Sequence, residues 1–114
     1  MDLSGWRKRI DQIDRKLLVL LNERAECVLR LAPLKQQQAI PVEEPEREAA
    51  IRANLGLNNQ GPLSHEAVCR IFDAIMGEMK AVQKEELRRE RRRPRREPSA
   101  ARRAPKRSSR ADLK

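Results

Sequence analysis

Four residues that could bind an anion lie on helical faces that are otherwise apolar: Arg24, Lys35, Arg47 and Gln83. Arg24 shares its face with leucines and valines spaced three and four apart, and Lys35 follows three turns later on nearly the same face. Arg47 precedes two apolar residues at successive steps of four, and Gln83 continues the apolar line of a third segment. The pattern therefore directs three cations and one amide toward a packed interior.

Buried cations need partners, because burial of an unpaired charge costs several kcal/mol. Acidic residues near these faces are few, chiefly Glu48. We therefore predict an internal pocket for a small anionic molecule, most simply a dicarboxylate. Any one of these side chains could instead lie along the core and carry its charge to the surface, but that alternative is weak for all four together.

One long amphipathic helix is predicted between Leu3 and Gln38. Its apolar residues recur at helical spacing, at Ile10, Ile13, Leu17, Leu20, Leu21, Cys27, Val28, Leu31 and Leu34. Such a helix would be about 50 Å long at 1.5 Å per residue, which is more than a small domain can cover by itself. Pro33 removes a backbone hydrogen bond, so we expect either a kink or an early end of the helix there.

Two further helices complete the predicted all-α fold. Pro45 is well placed to begin the second, which should end near Asn58, where turn residues cluster. Ser64 can cap a third helix, whose apolar residues again follow helical spacing and which can extend as far as Pro94. No segment has the alternation of a strand. Three helices are therefore expected.

The net charge of +9 is confined to the end of the sequence. Residues 1–83 hold 12 basic and 12 acidic side chains, whereas residues 84–114 hold 14 and 5. We predict a helical domain over residues 1–86 and a basic Arg/Pro-rich tail over 87–114 that cannot bury enough surface to fold. The tail could bind polyanions, but it lacks aromatic residues for base stacking, so nucleic acid is not the expected partner.

Several other classes of protein are disfavoured. No apolar run approaches the roughly 20 residues of a membrane span, and residues 1–9 are too polar for a signal peptide, so we predict a soluble cytoplasmic protein. Cys27 and Cys69 stand apart, with His65 the only histidine, which argues against a zinc site or a disulfide framework. Both cysteines are predicted to be small buried hydrophobic residues, and Trp6 to pack near the start of the first helix.

The ordered set of these residues resembles the all-helical chorismate mutases over about residues 3–84. The matching elements are Trp6-Arg7, Ile10-Asp11, Ile13-Asp14, the stretch Leu17 to Arg24, Lys35, Pro41-Val42, Pro45 to Glu48, Asn59 to Ser64, Ile71-Phe72 and Gln83. The resemblance implies an intertwined homodimer of three-helix chains whose long first helix spans both subunits. In such a dimer, the partner subunit would cover the part of a helix about 50 Å long that its own chain leaves exposed.

The resemblance also implies roles for the site residues. Arg24 would bind one carboxylate of chorismate and Arg7 of the partner subunit the other. Lys35 and Gln83 would hydrogen-bond the ether oxygen, while Glu44, Arg47 and Glu48 would hold the ring hydroxyl end. The implied reaction is the Claisen rearrangement of chorismate to prephenate in aromatic amino-acid biosynthesis, with no metal, cofactor or protein nucleophile.

Two residues depart from the family pattern, and two other functions stay open. Pro33 could turn Lys35 away from the site, and Met79 stands among the substrate-binding residues where many members carry a small or polar side chain. The first alternative function is the removal of pyruvate from isochorismate on the same fold. The second is a non-catalytic regulatory or binding module.

Overall fold

The computed structural model describes residues 1–92, which form three α-helices joined by two loops. These helices are α1 (Leu3–Gln37), α2 (Pro45–Asn58) and α3 (His65–Arg92). The predicted all-α class is confirmed, with no strand among the described residues. The predicted basic tail begins inside α3, and its remainder, residues 93–114, lies outside the described residues.

Local signals in the sequence set the starts of the helices. The Asp2 side chain accepts a hydrogen bond from the backbone N–H of Gly5 at 2.8 Å and caps α1. Pro45 is the first residue of α2, where its missing N–H is not needed. The Ser64 hydroxyl accepts from the backbone N–H of Ala67 at 3.0 Å, as predicted for the cap of α3.

Pro33 does not end α1, which continues to Gln37. The helix instead stops in a Schellman motif centred on Ala39, whose φ of 58° is left-handed. The N–H of Ile40 donates to the carbonyl of Lys35 at 2.8 Å, and that of Ala39 donates to the carbonyl of Gln36 at 3.1 Å. The motif turns the chain directly into the loop of residues 38–44.

The third helix forms the centre of the fold, since α3 packs against both α1 and α2. The buried apolar side chains among the described residues are Val28 and Ala32 from α1 and Met76 and Met79 from α3. All four belong to the C-terminal half of α1 or the middle of α3. The core therefore lies where the predicted polar residues converge.

The N-terminal half of α1 has no cover from the other described helices of the protomer. Its large apolar side chains are exposed, among them Leu3, Trp6, Ile10, Ile13, Leu17, Leu18, Val19 and Leu20. The prediction that Trp6 packs is wrong for the single chain, because neither α2 nor α3 covers this end. The prediction that both cysteines are buried is also wrong, since Cys27 is exposed and Cys69 only half-buried.

None of the helices within residues 1–92 is both long enough and apolar enough to cross a membrane.

Candidate active site

A pocket of about 370 Å³ lies between the C-terminal half of α1, the start of α2 and α3; we call it the central pocket. Seven of the eight predicted site residues line it: six contribute polar groups, and Met79 contributes an apolar one. The lining residues are Arg24, Cys27, Val28, Leu31, Lys35, Val42, Glu44, Arg47, Glu48, Ile51, Met76, Met79, Lys80 and Gln83.

Lys35 is the most connected side chain of the central pocket. It is 6% exposed, and its ammonium contacts Glu44 Oε2 at 2.7 Å, Gln83 Oε1 at 3.2 Å and the carbonyl of Val42 at 3.3 Å. These three acceptors match the three N–H groups of an ammonium. Pro33 therefore does not turn Lys35 outward, because α1 continues through the proline and keeps the lysine on its inner face.

Gln83 projects from α3 into the same group and is 7% exposed. Because an ammonium can only donate, the atom of Gln83 that faces Lys35 is its carbonyl oxygen. The amide nitrogen is then available as a donor beside the lysine. A cation and an amide donor thus stand together at the buried end of the pocket.

The two arginines lie nearer the solvent. Arg24, three turns before Lys35 on α1, is half-buried, and Arg47 in the first turn of α2 is exposed at the mouth of the pocket. Guanidinium groups bind carboxylates bidentately and keep their charge at any physiological pH. Both are therefore available to a carboxylate that enters from solvent.

More carboxylates lie in or near the pocket than the sequence indicated. Glu44, from the loop before α2, is the acid that contacts Lys35, whereas Glu48 on α2 pairs with Lys80 at 3.1 Å. Glu43 also contacts Lys80, at 3.0 Å, and Lys84 at 3.4 Å. The hydrogen bond and the charge of Lys80 lower the pKa of Glu43, and the hydrogen bonds to Glu43 and Glu48 raise the pKa of Lys80.

Sequence reasoning missed Lys80, Cys27 and Val42, all of which line the central pocket. Lys80 stands three residues before Gln83 on α3. Residues three apart are neighbours on a helix surface, so this spacing was the one signal in the sequence that could have placed Lys80 at the site. Val42 contributes a backbone carbonyl, which side-chain patterns do not reveal. Cys27 follows Arg24 by three residues and shares its face.

Arg7 is the predicted site residue that this protomer does not bring to the pocket. It lies in the second turn of α1, about 42 Å from Lys35 at 1.5 Å per residue. No bend within one continuous helix can close such a distance. If Arg7 acts at a site of this kind, that site belongs to another copy of the chain.

Four cationic side chains and two carboxylates line the central pocket. The excess of two positive charges matches a small molecule with two carboxylates. The arrangement can bind and orient such an anion and can donate hydrogen bonds to an oxygen at its buried end.

Comparison with known proteins gives a consistent result. Residues 6–84 match the family described as chorismate mutase type II. A chorismate mutase of Methanocaldococcus jannaschii is 35% identical over 86 residues, which cover 75% of this chain and 87% of that protein. The solved structure of chorismate mutase (form II) from Thermus thermophilus superposes with a TM-score of 0.70 at 28% identity, covering 72% of this chain and 93% of that one.

Longer relatives match over only part of their length. The bifunctional chorismate mutase/prephenate dehydratase of Pseudomonas aeruginosa is 39% identical over 87 residues, which are 72% of this chain and 24% of that protein. The chain thus spans about a quarter of the length of these bifunctional proteins.

Proposed function

The chain belongs to the family of type II chorismate mutases, and we propose that it rearranges chorismate to prephenate in the central pocket. The observation that carries this proposal is the buried contact between Lys35 Nζ and Gln83 Oε1, at 3.2 Å, in a pocket that also holds two arginines. The rearrangement breaks a carbon–oxygen bond and forms a carbon–carbon bond within one molecule. It therefore needs orientation and stabilisation of charge on the ether oxygen.

In this proposal the arginines fold the substrate into its reactive conformer. Arg24, in the protomer that forms the pocket, binds one carboxylate of the substrate, and Arg7 of the partner subunit binds the other. Two bidentate clamps fix a dicarboxylate more tightly than one, so the reacting carbons are held close together. Arg47 at the mouth holds the end that carries the ring hydroxyl, together with Glu48 and Glu44.

Lys35 and Gln83 are the proposed donors to the ether oxygen, on which negative charge develops. Both are buried, so solvent screens them little, and a well-placed donor in such a site contributes about 3–4 kcal/mol to catalysis. The Lys35 ammonium has Glu44, Gln83 and Val42 as acceptors, so one of these contacts must lengthen when substrate binds. Glu44 is the candidate, because its side chain is partly exposed and the ring hydroxyl gives its carboxylate a new donor.

The proposed active unit is a homodimer. The N-terminal half of α1 exposes many large apolar side chains, which a second copy of the chain would cover. An antiparallel or crossing arrangement of two such helices also brings Arg7 of one chain near the pocket of the other. The same helix thus supplies both the interface and a substrate ligand.

The test is a spectroscopic assay with purified full-length protein. Chorismate should be consumed with stoichiometric appearance of prephenate, and isochorismate should give no salicylate. Salicylate without prephenate would assign the lyase reaction instead. Chorismate that binds, as measured by calorimetry, but is not consumed would assign a binding or regulatory module.

A further inference from the structure

Lys80 occupies a bridging position at the rim of the central pocket. It projects from α3 one turn before Gln83, and its ammonium contacts Glu43 Oε1 at 3.0 Å and Glu48 Oε2 at 3.1 Å. Its side chain is 25% exposed and that of Glu48 20% exposed. The pair is thus better shielded than an ordinary surface ion pair.

The two consecutive acids of the loop contact lysines on different helices. Glu43 contacts Lys80 of α3, whereas Glu44 contacts Lys35 of α1. Glu48, one turn into α2, returns to Lys80. The entry to α2 is therefore held by ion pairs to both α1 and α3.

We propose that Lys80 is a positioning residue for substrate recognition: it holds the Glu48 carboxylate and the loop of Glu43 and Glu44 in the geometry that binds the substrate's ring hydroxyl. This inference rests on the proposed function. Lys80 acts through Glu48 and Glu44, so its loss should affect substrate affinity and hydroxyl recognition more than the chemical step.

The charge balance of the pocket supports the same role. Lys80 is one of four cations opposed by Glu44 and Glu48, so its removal halves the positive excess that faces a dianion. It also leaves Glu48 without the counter-ion it has in the structure. An unpaired carboxylate beside the entering substrate repels it, which raises the Michaelis constant.

The chain contains a matched control for a purely structural ion pair. Arg52 of α2 contacts Asp73 of α3 at 2.8 Å, so it also ties these two helices together, but neither residue lines the central pocket. If Lys80 only fastened α2 to α3, Lys80→Met and Arg52→Met would have the same kinds of effect. If Lys80 positions the acids, only Lys80→Met should change substrate recognition.

The experiment measures kcat and KM of the full-length protein for chorismate and for an analogue that lacks the ring hydroxyl. We expect Lys80→Met to raise KM for chorismate about tenfold with kcat changed less than about threefold. The preference for chorismate over the analogue should fall at least about fivefold. Lys80→Arg should restore both to within about threefold, because it keeps the cation, and Arg52→Met should leave both within about twofold of wild type.

Each other outcome counts against the proposal. An unchanged preference for the hydroxylated substrate in a folded Lys80→Met protein overturns it, as does an equal effect of Arg52→Met. If Lys80→Met does not fold, Glu43→Gln is measured in its place, because Glu43 is 57% exposed and lies outside the pocket lining. A rise of about threefold in the KM of Glu43→Gln supports the proposal. An unchanged KM overturns it. A wild-type protein that makes no prephenate overturns the proposed function, and this inference with it.

Discussion

Lys35 Nζ and Gln83 Oε1 are joined by a buried hydrogen bond of 3.2 Å across 48 residues of sequence. The bond links the last turn of α1 to the C-terminal half of α3 and fixes which atom of the Gln83 amide faces the lysine. It leaves the amide nitrogen as the donor toward the pocket. Catalysis in the proposed function depends on this orientation.

Gln83→Glu should make turnover strongly dependent on pH. An ionised carboxylate accepts hydrogen bonds but cannot donate to the ether oxygen, so kcat/KM near pH 7.5 should fall at least about a hundredfold. Activity should recover as the pH falls toward about 5, where the protonated acid donates. The measurement is the pH–rate profile beside that of wild type, and parallel profiles would exclude Gln83 as a donor.

A mixing experiment tests whether Arg7 acts across the dimer. Arg7→Ala and Lys35→Ala should each be nearly inactive alone. Unfolded together and refolded in equal amounts, they form mixed dimers in which one pocket has its own Lys35 and the Arg7 of the partner subunit, so about a quarter of wild-type activity should return. The activity of the refolded mixture is compared with each variant refolded alone. No recovery in a confirmed mixed dimer would contradict the assignment of Arg7 to the pocket of the partner subunit.

Ala39→Gly should stabilise the protein. Ala39 has a φ of 58°, which costs an L-residue about 1–2 kcal/mol and a glycine almost nothing. Part of the gain is offset by the greater freedom of glycine in the unfolded chain, so a net increase of about 0.5–1 kcal/mol in the free energy of unfolding is expected. Urea denaturation measures it, and a loss of stability would contradict the left-handed end of α1.

The ion pair of Lys80 and Glu43 should stabilise the fold over a defined range of pH. The lowered pKa of Glu43 means that its contribution is present above the ordinary carboxyl value of 4.5 and is lost as the pH falls through the lowered value. The raised pKa of Lys80 means that its contribution is present below 10.5 and is lost as the pH rises through the raised value. The difference in unfolding free energy between wild type and Lys80→Met should therefore be constant around neutral pH and shrink as the pH falls below 4.5. A clear change in that difference around neutral pH would contradict this assignment.

The sequence predicted the helices well because their ends carry local signals. Pro45 and Ser64 act through the backbone of their own first turn, so no tertiary information is needed. The convergence of Arg24, Lys35, Arg47 and Gln83 on one pocket likewise follows from helical periodicity.

What could not be predicted depends on how the chain turns between helices. Helical periodicity does not tell which of Glu43 and Glu44 faces Lys35, because both lie in the loop between α1 and α2, which has no helical repeat. The contact of Lys80 with Glu48 depends on how α2 lies against α3, which no local pattern specifies. Residue spacing within single helices therefore identified Arg24, Lys35 and Arg47 as cations of the site. It did not identify Lys80 or show how these cations pair with the acidic residues.

The most direct measurement is the first-order rate constant for prephenate formation by saturated wild-type protein, Lys35→Ala and the control Lys84→Ala. Lys84 is 54% exposed and contacts Glu43 outside the pocket, so its variant should match wild type within about twofold. The kcat of Lys35→Ala should be at least about a hundredfold lower than that of wild type while the protein remains folded. This loss corresponds to an activation free energy raised by roughly 2.7 kcal/mol. A folded Lys35→Ala protein within about threefold of wild type would show that the buried lysine does not stabilise the transition state.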